Sequence, residues 1–430
     1  MNVGPGQSTG IQRLAAASAI GTTLEWYDFT IYNVMAALVF NAVFFPQYEP
    51  LTGTLLAFST YAVGYFSRPA GGLLFGHLGD RLGRRFVLYA TLMLMGCATC
   101  LIGLLPSYQT WGTWSPVLLV TLRFVQGAAI GGEWAGAVLL SLEHGSARQR
   151  GRNGSFAQLG PACGTILGTA TVALVALCVT PPDFERWGWR IPFALSLVLV
   201  AFGLWLRRGV PETPVFIELQ SRRETARAPI GEVLRSHWRG LATSIGARAG
   251  PDVFYALLVV FTLTYVTTVL HLPRMRGLVA TMIGAACSAV CMPLFGSLSD
   301  RIGRRPLIAV GALLSMAWAF LYFRLMVAAQ PALIVLAVAV GMVLHASMYG
   351  PQAAFIAEQF PGRVRYAGSS IAYTLTGIVA GGLAPFLFTA LFRAYGTTQA
   401  LSWYLVAALG VTVLAMALAR ETALGSLRER

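Results

Sequence analysis

The chain has 430 residues, of which 56% are apolar and only 11% are charged, whereas an average soluble domain carries roughly 25% charged residues. Every one of its 31 basic residues is an arginine. That excludes a Walker A phosphate loop, which needs Gly-Lys-Ser/Thr, and any Schiff-base lysine; arginine stays protonated at any useful pH, so among basic side chains only histidine can carry a proton on and off.

In chain order the elements are apolar stretches long enough to cross a bilayer, which takes about 20 residues. They fall at 15–40, 53–77, 86–105, 115–142, 154–180, 189–206, 240–269, 277–298, 306–328, 332–357, 366–393 and 399–419. These twelve predict an all-α integral membrane protein. The polar stretch 207–239 between the sixth and seventh reads as a cytoplasmic linker with short amphipathic helices. The expected organisation is an N-terminal six-helix half (1–206), the linker (207–239) and a C-terminal six-helix half (240–430). The first stretch follows a single Arg13 and is interrupted by Glu25 and Asp28, so no cleavable signal peptide is expected.

With both termini and the linker in the cytoplasm, 22 arginines are cytoplasmic, six lie outside, and Arg68, Arg123 and Arg248 fall within spans. This is a strong positive-inside bias. It assigns the net charge of +14 to topology and contact with anionic lipid, with no nucleic-acid partner. The six cysteines lie in apolar stretches, and Cys97-x-x-Cys100 has no second pair or nearby histidine to complete a zinc set. Neither a metal nor a cofactor is expected.

The chain repeats itself. Residues 76–85 (GHLGDRLGRR) and 296–305 (GSLSDRIGRR) agree at seven of ten positions, and each is followed by an echo, Glu143-x4-Arg148-x-Arg150 and Glu358-x4-Arg363-x-Arg365. Each half thus has six spans, a basic loop after the second, and an acid at the end of the fourth. Two such halves are the material of alternating-access transporters, whose substrate site lies between them near the midplane.

The loop Gly76-x3-Asp80-Arg81-x-Gly83-Arg84-Arg85 resembles the signature of the major facilitator superfamily. The remainder resembles one branch of it, the bacterial metabolite:proton symporters for shikimate, alpha-ketoglutarate, citrate and proline or betaine. The matching residues are Glu25-Trp26-Tyr27-Asp28-Phe29, Arg68-Pro69, Arg123-x-x-Gln126-Gly127 running into Gly131-Gly132-Glu133-Trp134, Trp187-x-Trp189-Arg190-x-Pro192-Phe193, Pro211-Glu212-Thr213-Pro214, and Gly350-Pro351-Gln352 through Arg365. The resemblance implies the two-half facilitator fold, a bacterial inner-membrane location and a central cavity lined by the fourth-span residues.

A charge at the bilayer centre costs about 2.5–3.5 kcal/mol on insertion scales, so intramembrane charges are functional candidates. Glu25 and Asp28 sit three apart on one helix face. Mutual repulsion and a low-dielectric surrounding disfavour two charges there, which makes them candidates for proton coupling, together with Glu133 and Asp252; pairing with an arginine of a neighbouring helix is the other reading. Arg123 suits bidentate contact with a carboxylate, with Gln126 on the same face, or it stands in a permanent pair with Glu25, Asp28 or Glu133. Arg248 and Asp252, four apart, can pair along one helix, as a switch or as a means of lowering insertion cost. Arg68 either contacts substrate or binds carbonyls freed by Pro69. Tyr32, Tyr255, Tyr373 and His345 offer rings, hydroxyls or an imidazole to the cavity, packing being the default for each.

The basic loops read as gates. Asp80 and Asp300 can cap neighbouring helix N-termini, and Arg84 and Arg304 can reach Glu143 and Glu358, as the superfamily resemblance implies; Arg81, Arg85 and Arg301 belong to the same loops. The alternative is a topology signal only. The function expected is proton-driven import of a small organic anion by a monomer. The alternatives are proton-coupled export of a drug or metabolite and symport of a zwitterion. No HExxH, GxSxG or paired metal set is present, so an enzyme is not expected.

Overall fold

The computed structural model describes residues 5–72, 74–75, 84–131, 138–139, 142, 149–207, 229–362 and 364–423. A backbone in hydrocarbon must satisfy its own hydrogen bonds, which leaves helices as the spanning solution for segments this apolar. Each of the twelve expected stretches has a helix. In the first half they are α1 (Pro5–Leu38), α2 (Pro50–Phe66), α3 (Arg84–Leu104), α4 (Trp114–Ile130), α5 (Arg150–Cys178) and α6 (Arg190–Arg207). In the second they are α7 (Trp238–Val269), α8 (Arg274–Ile302), α9 (Arg304–Val327), α10 (Pro331–Glu358), α11 (Arg365–Tyr395) and α12 (Thr398–Leu418). A short amphipathic helix, Pro229–Ser236, lies in the polar stretch ahead of α7.

The outward faces carry bare apolar side chains, including Leu174, Leu177, Val290, Leu294, Leu414 and Leu418, as lipid contact requires. Exposed tryptophans fall at span ends, Trp111, Trp114, Trp187 and Trp403 at one and Trp205 and Trp238 at the other, where the amphipathic indole sits at a membrane–water boundary. In its most apolar window α7 is 78% buried against 39% for α12, so α7 lines the centre and α12 faces outward.

The halves meet chiefly where α5 packs on α8 and α10 and where α2 packs on α11, and α1 also touches α7. Irregular turns interrupt the helices beside the centre. α7 passes through π turns at Ala256–Phe261 and Tyr265–Val269, and α11 through one at Gly377–Gly382. Such turns carry an extra residue and leave backbone groups in altered register, a common feature next to functional side chains.

Candidate functional site

The centre of the bundle is built on Arg123. It sits two turns before the end of α4 with no exposed surface. Its guanidinium carbon lies 4.4 Å from the Phe29 ring centroid, 4.1 Å from that of Tyr32 and 4.9 Å from that of Tyr61. A cation over aromatic faces gains about 0.5–2 kcal/mol per contact, far less than a carboxylate partner returns in a dry site. Room for it exists because residue 64 is glycine: a Cβ there would stand 2.7 Å from Arg123 Nε. Arg123 Nη1 donates to Gln126 Oε1, while Nε and Nη2 have no hydrogen-bond partner among the described residues. A buried guanidinium with two unsatisfied nitrogens is a costly arrangement that a bound anion would relieve.

Arg123 forms no ion pair among the described residues. Asp28 is reached through two neutral side chains. Gln126 Nε2 donates to Thr99 Oγ1 at 2.7 Å, and Thr99 Oγ1 donates to Asp28 Oδ2 at 2.9 Å. Asp28 is buried and Glu25, one turn earlier, is partly exposed. Arg68 stacks on Tyr65 at 4.1 Å and on Phe29 at 4.8 Å, its Nε without a partner.

On α7 the pair expected from spacing is formed: Arg248 Nε donates to Asp252 Oδ2 at 2.8 Å and to Oδ1 at 3.1 Å. Arg248 Nη1 donates to the Tyr373 carbonyl at 2.9 Å, and its guanidinium lies 3.3 Å over the Tyr373 ring. Between the halves, Tyr255 shares a 2.6 Å hydroxyl bond with Thr165 of α5 and stacks edge-on against Trp26 of α1 at 5.8 Å. His345 is buried between Tyr255 and Tyr349, ring centroids 5.4 and 5.0 Å away, and its Nδ1 has no partner. Tyr32 also bonds Thr60 through its hydroxyl.

At the basic-loop end, described residues of the two halves are tied together. Asp300, at the end of α8, accepts from the Gly151 amide at 2.8 Å and the Arg152 amide at 3.0 Å, capping the first turn of α5 in the other half. A carboxylate at a helix N-terminus satisfies orphan amides and meets the positive end of the dipole. Arg304 Nη2 holds Asp300 at 2.7 Å and Glu358 at 3.4 Å, and Arg150 of the first half reaches the same Glu358 oxygen at 3.4 Å. The chain after α12 returns here, with Thr422 donating to Glu358 Oε2. Glu421 accepts the amides of Arg304, Arg305, Thr422 and Ala423 at 2.9–3.0 Å. Burial alone raises its carboxyl, but those four amides outweigh it and hold Glu421 below the usual 4.5. Its capping contribution is therefore complete above that ordinary value and fades as pH falls through the lower folded one. Glu421→Gln should lower the melting temperature in detergent at neutral pH, with variant and parent converging in strong acid.

The comparisons with known proteins fit this geometry. Residues 14–240 match the model for "Sugar (and other) transporter" and residues 253–428 that for "Major Facilitator Superfamily". The Shikimate transporter of Escherichia coli K12 is 38% identical, over 96% of this chain and 95% of that protein. The Inner membrane metabolite transport protein YhjE of the same organism is 36% identical, over 95% and 94%. The chain belongs to the major facilitator superfamily. A solved facilitator structure, the proton:xylose symporter XylE bound to 6-bromo-6-deoxy-D-glucose, superposes with a TM-score of 0.77 at 19% identity, covering 96% of this chain and 95% of that one. The twelve-helix, two-half facilitator fold is thus shared, and this facilitator is a membrane-spanning transporter, not an enzyme.

Several expected residues lie elsewhere. Asp80, Arg81, Glu133 and Glu143 are outside the described residues, as are the side chains of Arg84 and Arg85 in the first turn of α3. Arg301 is exposed and does not join the tied end. Arg305 does instead, its Nε donating to the Met416 carbonyl at 2.7 Å and its Nη2 to that of Ala417 at 3.1 Å, which caps α12. Thr99, Tyr61, Tyr65 and Thr165 are central but carry no charge, so the intramembrane-charge criterion passes over them. Tyr61 and Tyr65, four apart beside Arg68, were detectable as one aromatic face.

Proposed function

We propose that this facilitator is a proton-driven importer of a small organic carboxylate, working by alternating access. The observation that carries the reading is Arg123: fully buried, ringed by aromatic faces and, among the described residues, with two nitrogens unsatisfied and no carboxylate of its own. A substrate carboxylate supplies what those nitrogens lack in bidentate geometry. The proton enters at Asp28, with Glu25 and Asp252 as further acids and Glu133, outside the described residues, as another candidate from the sequence. Gln126, Tyr32, Tyr255, His345 and Tyr373 complete the binding surface, and Arg248 holds Asp252 until the anion arrives. Similarity to a protein named for shikimate, a hydroxylated cyclic carboxylate, supports this substrate class. In this reading the basic-loop end, both termini and the linker are cytoplasmic, and 1–206 and 240–430 rock as monomer halves about the seams of α5 with α8 and α2 with α11. The tied end then belongs to a state sealed toward the cytoplasm.

The test is uptake into proteoliposomes under an inward proton gradient, against a panel of carboxylates including shikimate and of zwitterions including betaine. The expected result is accumulation of a carboxylate that collapses with the gradient. Asp28→Asn should lose accumulation while still exchanging preloaded substrate. Accumulation only of a zwitterion, substrate exit driven by proton entry, or full accumulation by Asp28→Asn would each reject the assignment.

A further inference from the structure

The acid and the cation assigned above do not touch, and what stands between them is specific. Arg123 Nη1 donates to the Gln126 carbonyl oxygen, Gln126 Nε2 donates to the Thr99 hydroxyl at 2.7 Å, and Thr99 donates to Asp28 at 2.9 Å. Every donor in this file points the same way, from the guanidinium to the carboxylate, across α4, α3 and α1. All four side chains are buried, with Gln126, Thr99 and Arg123 showing no exposed surface. Thr99 has a second acceptor within reach, the Met95 carbonyl of its own helix at 2.9 Å. A hydroxyl has one proton to give and two lone pairs to offer. It can serve Asp28 or Met95, and the ionised acid is the stronger acceptor.

We infer that Thr99 and Gln126 form a coupling relay, by which the proton on Asp28 is communicated to the substrate-binding face of Arg123. The inference rests on the reading of Asp28 as a proton carrier and Arg123 as an anion site. With Asp28 ionised, Thr99 donates to it, Gln126 is held with its amide nitrogen toward Thr99 and its carbonyl toward Arg123, and the guanidinium is partly satisfied. When Asp28 takes one proton from the external water, its new O–H donates to Thr99, and the Thr99 proton turns to the Met95 carbonyl. The Thr99 oxygen then accepts from both sides, and the file no longer ends on an anion. Gln126 binds Arg123 less firmly, and the guanidinium is released toward substrate. Proton first, anion second follows as the binding order.

Among the described residues, the other groups around Asp28 do not supply an equivalent path. Tyr27, Tyr32 and Glu25 are on its own helix; α4 offers Arg123 itself; α2 offers Arg68 and the phenols Tyr61 and Tyr65; α7 offers Tyr255. Within α5 and α6, which also pack on α1, there is no acid or histidine. Thr99 and Gln126 are positioning residues, neutral at every pH, so they act only by passing a hydrogen-bond state along.

The experiment needs no substrate. Purified full-length protein is titrated while the protonated-carboxyl stretch is followed by difference infrared spectroscopy, Asp28→Asn identifying the band. Thr99→Val removes a donor from the ionised acid, and a hydrogen bond to a charged group is strong enough to move the midpoint upward by about one pH unit. Gln126→Leu, which does not touch Asp28, should move it the same way by a smaller amount. The double variant should match Thr99→Val alone, since the effects lie on one path and do not add. Thr99→Ser keeps the hydroxyl and should restore the parent midpoint, which separates the relay from a general loss of packing. An unmoved midpoint in Gln126→Leu, or additive shifts in the double variant, would overturn the relay and leave Asp28 as proton carrier. Absence of any band lost in Asp28→Asn would overturn the proton assignment and the relay with it.

Discussion

Arg123→Met should abolish substrate accumulation while leaving the substrate-free protein as stable as the parent, or more so. A guanidinium buried in a ring of Phe29, Tyr32 and Tyr61, with two nitrogens unsatisfied, carries a desolvation penalty that its aromatic contacts and one bond to Gln126 only partly offset. Replacing buried ionic groups by well-packed apolar ones of similar volume is commonly neutral or stabilising by about 1–4 kcal/mol. Transport should respond in the opposite direction. Removing one partner of a desolvated charge pair costs about 2–5 kcal/mol, so uptake should fall by roughly thirtyfold to several thousandfold. Arg123→Lys should recover little of it, because an ammonium cannot present two parallel donors. The paired measurement is uptake in proteoliposomes and melting in detergent. A melting temperature that collapses together with uptake would reassign Arg123 to the framework.

Gly151→Ala should depopulate the state in which the basic-loop end is shut. At this position the first turn of α5 lies directly on α8. A Cβ built there would stand 2.5 Å from Ser299 Oγ, and closer still to the Gly296 carbonyl and Arg304 Nη1. Two of those neighbours are fixed, one as backbone and one as the arginine that holds Asp300 and Glu358. Overpacking of this kind costs about 1–3 kcal/mol, a five- to hundredfold change in the closed population. Uptake should drop at least several-fold. Spin labels on the exposed positions Arg152 and Arg301, in a cysteine-free background, should report a longer and broader distance across this end. Gly231→Ala, where nothing lies within 4 Å of the added carbon, should change neither reading. An unchanged distance in Gly151→Ala would show that this contact does not hold the end shut.

What the amino-acid order disclosed follows from what the bilayer makes expensive. Apolar length is forced by the hydrocarbon core, so all twelve helices were legible, most to within a few residues; α1 begins at Pro5, well ahead of its apolar run. Buried charge is costly, so Arg123, Arg248, Asp28 and Asp252 stood out, and the four-residue spacing of Arg248 and Asp252 gave their contact. The internal repeat gave Asp300, Arg304 and Glu358. Connections through neutral groups were not legible. A direct pair of Arg123 with Asp28 was one of two readings left open, whereas Thr99 and Gln126 intervene between them, and a threonine in an apolar helix leaves no periodic trace. The π turns of α7 and α11 shift register at places that the apolar pattern does not mark. The choice of Arg305 over Arg301 turns on the break between α8 and α9 at Gly303, which the repeat alone does not orient. Glu421 and Thr422 lie beyond the last span, and only the returning chain reveals that they meet Glu358.

The single oxygen of Glu358 that faces both Arg150 and Arg304 sets how the molecule can open. The two arginines belong to different halves, and Glu358 shares its half with Arg304. In the rocking motion proposed above, Arg150 parts from Glu358 with α5 and enters water, where its charge is hydrated at once. The carboxylate stays behind with a cation still beside it. At no point along the separation is a bare charge stranded in a dry interior, which is the step that makes breaking an ordinary buried ion pair slow. In that proposed motion, a carboxylate shared in this way lets the two halves come apart here without a tall electrostatic barrier.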